Sequence, residues 1–122
     1  MKRYIKTSFD IEFHSIKKYP SYEDYCYAEM QGYYDEDLTD EDYKSEISEF
    51  NSKFSKKFGN MNELDFVISA YIGFVPFAFV LVDAELYRIG YNNGIIFTEV
   101  TDSWLNRLGC KTSLDEIYEL IG

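Results

Sequence analysis

Seventeen consecutive residues, Phe66 to Val82, carry no charge, and any fold of this chain must take most of them out of water. That length is the short limit for a membrane-spanning helix. The composition argues instead for strands. Val, Ile and Phe dominate, Ser69, Gly73 and Pro76 interrupt, and Asp65 and Asp83 flank the run where a spanning helix would have Lys or Arg anchors. Buried strand is therefore expected from Leu64 to Val82, with a bend near Gly73 to Pro76. Pro76 has no N–H to give to a ladder, so it belongs at an edge, a strand start or a bulge.

Neighbouring segments supply the rest of a sheet. In residues 4 to 13, Ile5, Thr7, Phe9, Ile11 and Phe13 alternate with Tyr4, Lys6, Ser8, Asp10 and Glu12, which predicts a strand with one wet face. His14 then ends the strand, and a connector runs through Lys17, Lys18 and Tyr19 to Pro20. Leu86 to Tyr91 and Ile95 to Val100 flank Asn92-Asn93-Gly94, a hairpin signal because Asn and Gly tolerate the positive φ of such turns.

Helices are marked by their caps. Ser21 precedes Glu23 and Asp24, acids suited to the positive end of a helix dipole, and Gly32 can close that helix. Thr39 opens a second helix on the same logic. Its apolar stripe is Tyr43, Ile47, Phe50, Phe54 and Phe58, and Gly59 ends it behind Lys53, Lys56 and Lys57. Thr101 caps a short helix containing Trp104, Leu105 and Leu108, stopped by Gly109. Ser113 and Glu116 form a capping box for a last helix with Leu114, Ile117, Tyr118 and Ile121 inside. The order β-α-α-β-β-β-α-α predicts an α+β fold, an antiparallel sheet of about four strands with helices packed on one face. At 122 residues, with no flexible linker or internal repeat, residues 1–122 read as a single domain.

Charge is distributed unevenly over this frame. The chain has 22 acids, 12 bases and a net charge of −10. Residues 23 to 49 hold eleven of the acids (Glu23, Asp24, Glu29, Asp35, Glu36, Asp37, Asp40, Glu41, Asp42, Glu46 and Glu49) against one base, Lys44. Elsewhere eleven acids meet eleven bases, so the imbalance is local. Six of the twelve tyrosines lie in or beside the same stretch: Tyr22, Tyr25, Tyr27, Tyr33, Tyr34 and Tyr43. Such a surface repels phosphates, which argues against a direct nucleic-acid ligand or an anionic membrane. It attracts Lys and Arg. With few basic residues for i,i+4 pairing, the acids are available to a basic protein surface, with tyrosines as packing anchors.

Other chemistries find little support. His14 is the only histidine and sits in no motif with Cys26 or Cys110, so a Cys–His nucleophile is not indicated. Asp83 and Glu85 fit a solvated hairpin edge as well as an acid–base pair. The two cysteines, far apart and without a CxxC, read as free buried thiols in a reducing compartment. The N-terminal sequence lacks the apolar run of a signal peptide. Asp35, Asp37, Thr39, Glu41 and Glu46 have the spacing of a calcium loop, but Asp40 stands where its sharp turn needs Gly. Two cysteines and one histidine cannot form a structural zinc site, and no cofactor motif is present.

Tyr33-Tyr34-Asp35-Glu36-Asp37-Leu38-Thr39-Asp40-Glu41-Asp42-Tyr43 and the flanking acids resemble, in composition, the small acidic anti-defence proteins of phages and mobile elements, the anti-CRISPR and antirestriction class. The resemblance covers about a quarter of the chain. It implies a non-enzymatic inhibitor in the bacterial cytoplasm that occupies the basic groove of a nuclease or CRISPR effector as a DNA mimic. Tyr33, Tyr34, Asp35, Glu36, Asp37, Asp40, Glu41, Asp42, Glu46 and Glu49 are the partner-binding candidates. The scale is suitable. DNA carries one charge per ~1.7 Å, or about 18 over the ~30 Å of a twenty-residue helix, and eleven carboxylates are a little over half that number. An immunity protein that plugs a toxin nuclease is the alternative. A third reading is an oligomeric domain whose edge strand around Phe74 to Phe79 pairs with its own copy.

Overall fold

The computed structural model describes residues 11–29 and 39–122. Strand β1 (Phe13–Tyr19) leads to helices α1 (Tyr22–Glu29) and α2 (Asp40–Phe58). Four more strands follow: β2 (Leu64–Ile72), β3 (Val75–Val82), β4 (Glu85–Tyr91) and β5 (Ile95–Glu99). Helices α3 (Asp102–Arg107) and α4 (Leu114–Ile121) complete the described chain. The strands form one antiparallel meander in sequence order. The fold is α+β, as the order of elements predicts.

Among the described residues the sheet has five strands where about four were expected, because the uncharged run folds back on itself. Ile72 pairs with Val75 across a two-residue turn in which Gly73 takes φ 64°. A glycine at the first turn position with positive φ is the signature of a type II′ hairpin. Among the described residues no helix is long and apolar enough to cross a membrane. Pro76 is the second residue of β3, where β4 is absent: β4 pairs with β3 only from Phe79 onward. Beyond Arg88, β4 continues with β5 alone. Among the described residues Phe74 to Phe79 therefore belongs to a turn and an interior strand, whose Val75 to Ala78 pair with β2 but not with β4.

The first described strand extends past the end expected for it. Residues 4–10 of the expected strand lie outside the described residues, and the connector expected after His14, through Lys17, Lys18 and Tyr19, is itself strand. Ser15 sits at φ 59°, and the register with β2 slips between His14 and Lys17. A bulge of this kind erases the alternation by which strands are recognised. Lys17 and Lys18 then charge an edge strand, a common guard against edge-to-edge association.

Helices cover both faces of the sheet, not one. Val67, Ile68, Ser69 and Ala70 are buried in succession, which requires cover on both sides. On one face Ile68, Ala70, Ile72, Phe79 and Leu86 pack with Trp104 and Leu105 of α3 and Ile117 and Ile121 of α4. On the other, Val67, Val80, Val82, Ile95 and Phe97 pack with Tyr22 and Cys26 of α1 and Tyr43, Phe50 and Phe54 of α2. Phe50 stacks on Tyr22 at 4.0 Å and meets Phe97 edge-on at 5.4 Å. Burying one such side chain contributes about 1.5–3 kcal/mol. The predicted stripe of α2 is this contact surface, with Ile47 and Phe58 at its margins.

Candidate functional site: the outer surface of helices α1 and α2

Each helix is fixed by its cap. The Asp24 amide donates to Ser21 Oγ at 3.1 Å, and Ser21 Oγ donates to Asp24 Oδ2 at 2.9 Å. At α2 the Asp42 amide donates to Thr39 Oγ1 (3.2 Å), while the Thr39 amide and hydroxyl donate to Asp42 Oδ2 (2.9 Å each). These bonds hold the Asp42 carboxyl below its ordinary value. Asp42 closes a capping box, so it serves the helix as well as the surface.

Two further candidates are turned inward. Glu46 Oε1 accepts the hydroxyls of Tyr22 at 3.0 Å and Tyr91 at 2.9 Å, and those hydroxyls lie 3.1 Å from each other. Burial first and the neighbouring Tyr91 hydroxyl second push Tyr22 far above the usual phenol range. Tyr91, whose ring is largely exposed, is raised by desolvation of its hydroxyl and by its bond to Glu46, against the lowering effect of Tyr22. Glu49 Oε2 accepts the Ile95 amide at 2.8 Å, tying α2 to the β4–β5 hairpin. Both acids fasten α2 to the sheet.

The acids left facing outward from these helices include Glu23 and Asp24 on α1 and Asp40 and Glu41 on α2. Among them stands Tyr27, 44% exposed, its ring stacked on buried Tyr43 at 4.4 Å and 25°. Its hydroxyl is raised by desolvation, then by the carboxylates of Asp40 and Glu23. Two helices thus converge on one aromatic bordered by carboxylates. Tyr33, Tyr34, Asp35, Glu36 and Asp37 lie outside the described residues.

Tyr27 was not among the candidates that the charge run selects. The available signal was its spacing. Tyr22 and Cys26 form the buried i,i+4 line of α1, and Tyr27 is one residue past it, beside Glu23 on the neighbouring line.

The catalytic and metal alternatives gain no geometry. Cys26 and Cys110 are both buried and free. Burial and the Glu46 carboxylate push the Cys26 thiol up to about 12, away from the thiolate that nucleophilic chemistry needs. His14 Nε2 donates to the Gly73 carbonyl at 2.8 Å, and its Nδ1 lies 3.0 Å from Ser15 Oγ. Among the described residues no group of three His, Cys, Asp or Glu side chains is placed to hold a metal ion. Asp35 and Asp37 of the calcium-like spacing lie outside the described residues. Compared with protein-family models, curated proteins and solved structures, the chain matches none.

Proposed function

We propose that this protein is a non-enzymatic inhibitor that docks the outer surface of α1 and α2 into the basic nucleic-acid-binding groove of a nuclease or CRISPR effector. The observation that carries the reading is Tyr27, exposed, within electrostatic reach of the exposed carboxylates of Asp40 and Glu23, and backed by the buried ring of Tyr43. A Tyr held by a stack has little freedom left to lose on binding, and tyrosines of this kind anchor interfaces. Carboxylates around it meet Lys and Arg, speeding association and making it salt-sensitive. Glu23, Asp24, Asp40 and Glu41 are the charge donors in this arrangement. Asp42, Glu46 and Glu49 contribute field while holding the fold, and residues 33–37 extend the same charged run.

The test is capture from bacterial lysate at low and high salt, with a Glu23→Gln/Asp40→Asn/Glu41→Gln variant as control. This variant spares every acid that holds a cap, a hydroxyl or a hairpin amide. The expected result is a nucleic-acid enzyme recovered by the wild type at low salt only, with its cleavage activity blocked by added wild-type protein and not by the variant. Equal recovery by both baits, or an enzyme still active when bound, overturns the proposal. A toxin nuclease in the captured fraction would make the protein an immunity factor acting through the same surface.

A further inference from the structure

On the sheet face that α3 and α4 cover, Arg88 of β4 is a cation without an anion. It is half-buried, and its guanidinium carbon sits 4.8 Å from the centroid of the Trp104 ring. Its Nε is shut off from solvent and has no hydrogen-bond partner. The chain has 22 acids, yet among the described residues none is paired with Arg88. Stacking on an indole uses the flat face of a guanidinium and leaves free the N–H donors in its plane. A buried donor left unpaired costs free energy, so such groups ordinarily have a partner.

The sheet opens beside this side chain. Arg88 is the last residue of β4 to pair with β3, opposite Phe79, and beyond it β4 continues with β5 alone. Side chains two apart in a strand share a face, so Gly90 is next to Arg88 on this side and adds no side chain to it. A Cβ at Gly90 would lie 3.5 Å from Ile96 Cγ1, an ordinary contact, so crowding does not demand glycine here. Thr98 stands directly across from Arg88 on β5 and offers a hydroxyl on the same face. On the β3 side, Phe77 meets Trp104 edge-on at 5.4 Å. The approach to the guanidinium is thus low and mostly apolar.

We propose that this surface binds a small carboxylate with an apolar body, the carboxylate paired with the Arg88 guanidinium and the body lying over Gly90 between Phe77 and Ile96. The planar fork of a guanidinium matches the two oxygens of a carboxylate, and its stack on Trp104 fixes the fork before the ligand arrives. Low local polarity strengthens such a pair relative to open water. Few polar groups among apolar walls is also the usual make-up of a small-molecule site. A phosphate dianion fits less well. One cation does not offset two charges, and the net charge of −10 repels each of them. The carboxylates of α1 and α2 lie on the other face of the sheet, so this inference does not rest on the proposed inhibitory function.

Trp104 is the only tryptophan in the chain, so its fluorescence reads binding at this place. Titration of the full chain with hexanoate at constant ionic strength should give a saturable change in that emission. Hexanol has the body without the charge and inorganic phosphate the charge without the body, and each should bind more weakly by about tenfold or more. Arg88→Met keeps an apolar stem beside Trp104. It should abolish the response with a melting temperature unchanged or raised, because the unpaired donor goes with the guanidinium. Gly90→Val leaves Arg88 in place but stands a side chain on the binding surface, and it should weaken hexanoate in a folded protein. No saturable response through the millimolar range overturns the proposal. So does hexanoate binding that survives Arg88→Met, or hexanol that binds as well as hexanoate. If Arg88→Met melts far below the wild type, the Gly90→Val titration decides alone, and undiminished binding there overturns the proposal.

Discussion

The Tyr91 hydroxyl donates to Glu46 Oε1 at 2.9 Å, joining the end of strand β4 to the middle of helix α2 across 45 residues of sequence. The same oxygen also accepts Tyr22, so one carboxylate links α1, α2 and the sheet. Glu46 lies in the most acidic stretch of the chain, yet its work is internal. Net stabilisation from hydrogen bonds to a charged group is about 1.5–3 kcal/mol. Glu46→Ala is therefore expected to cost about 2 kcal/mol, and Glu46→Gln less, because an acceptor oxygen survives. Glu41→Gln, five positions earlier on the exposed side, should leave the urea midpoint unchanged. Equal effects at the two positions would show that Glu46 is not the fastener of α2.

Alkali should expose the same cluster. Cys26 is shifted from 9.0 to about 12, by burial first and by Glu46 second, and Tyr22 and Tyr91 are raised too. The folded chain then keeps protons that the unfolded chain has released. This contribution to stability is complete below the ordinary thiol value of 9.0 and is lost as pH rises from there toward about 12. The loss proceeds at up to about 1.4 kcal/mol per pH unit for each proton retained. Urea titrations below and at steps above the ordinary thiol range should show falling midpoints. Cys26→Ala should make that fall shallower. A stability flat through the alkaline range, or a fall identical in the variant, contradicts the assignment.

How much of this was legible in sequence depends on whether the cause was local. Helix α2 was legible because its cap, stripe and terminating glycine lie within one stretch, and the β4–β5 hairpin because Asn93 and Gly94 advertise positive φ. Cover on both faces was signalled by Val67 to Ala70, four buried residues in a row, but the grouping of helices away from strands pointed to a single face. Strand β1 was hidden by the bulge at Ser15. The candidate site was legible as charge and not as geometry. Nothing near Glu46 or Glu49 announces that Tyr91 and Ile95 arrive beside them from the far end of the sheet. Nor does anything near Tyr27 announce the ring of Tyr43 on the next helix.

The β3–β4 turn is an instance of a strained local choice. Val82 pairs with Glu85, and both intervening residues, Asp83 and Ala84, have positive φ, 50° and 65°. This is the geometry of a type I′ hairpin, in which Asn-Gly or Asp-Gly is preferred. An alanine in the left-handed region costs roughly 1–2 kcal/mol, which glycine avoids at the price of greater freedom when unfolded. Ala84→Gly should stabilise the protein by about 1 kcal/mol and raise its melting temperature by several degrees. The Ala84 amide, which donates to Asp65 Oδ2 at 3.2 Å, is retained in the variant. A lowered melting temperature would refute the strain argument.

Two glycines with positive φ separate strain from crowding. Gly59, the cap of α2, has φ +91° and, among the described residues, nothing within 4 Å of where a Cβ would be. Gly94 has φ +114°, and a Cβ there would lie 2.7 Å from Glu49 Oε2 and 3.1 Å from Lys53 Nζ. Gly59→Ala meets only the backbone penalty of about 1–2 kcal/mol. Gly94→Ala meets that penalty and must also displace the carboxylate that accepts the Ile95 amide at 2.8 Å, leaving the amide unpaired at a further cost of about 1–3 kcal/mol. Gly94→Ala should therefore be the more damaging by at least that hydrogen bond. Combining it with Glu49→Ala, which removes the obstructing carboxylate, should cost less than the sum of the two single changes. Strict additivity in that double-mutant cycle would mean that the hairpin and helix α2 are not coupled through Glu49.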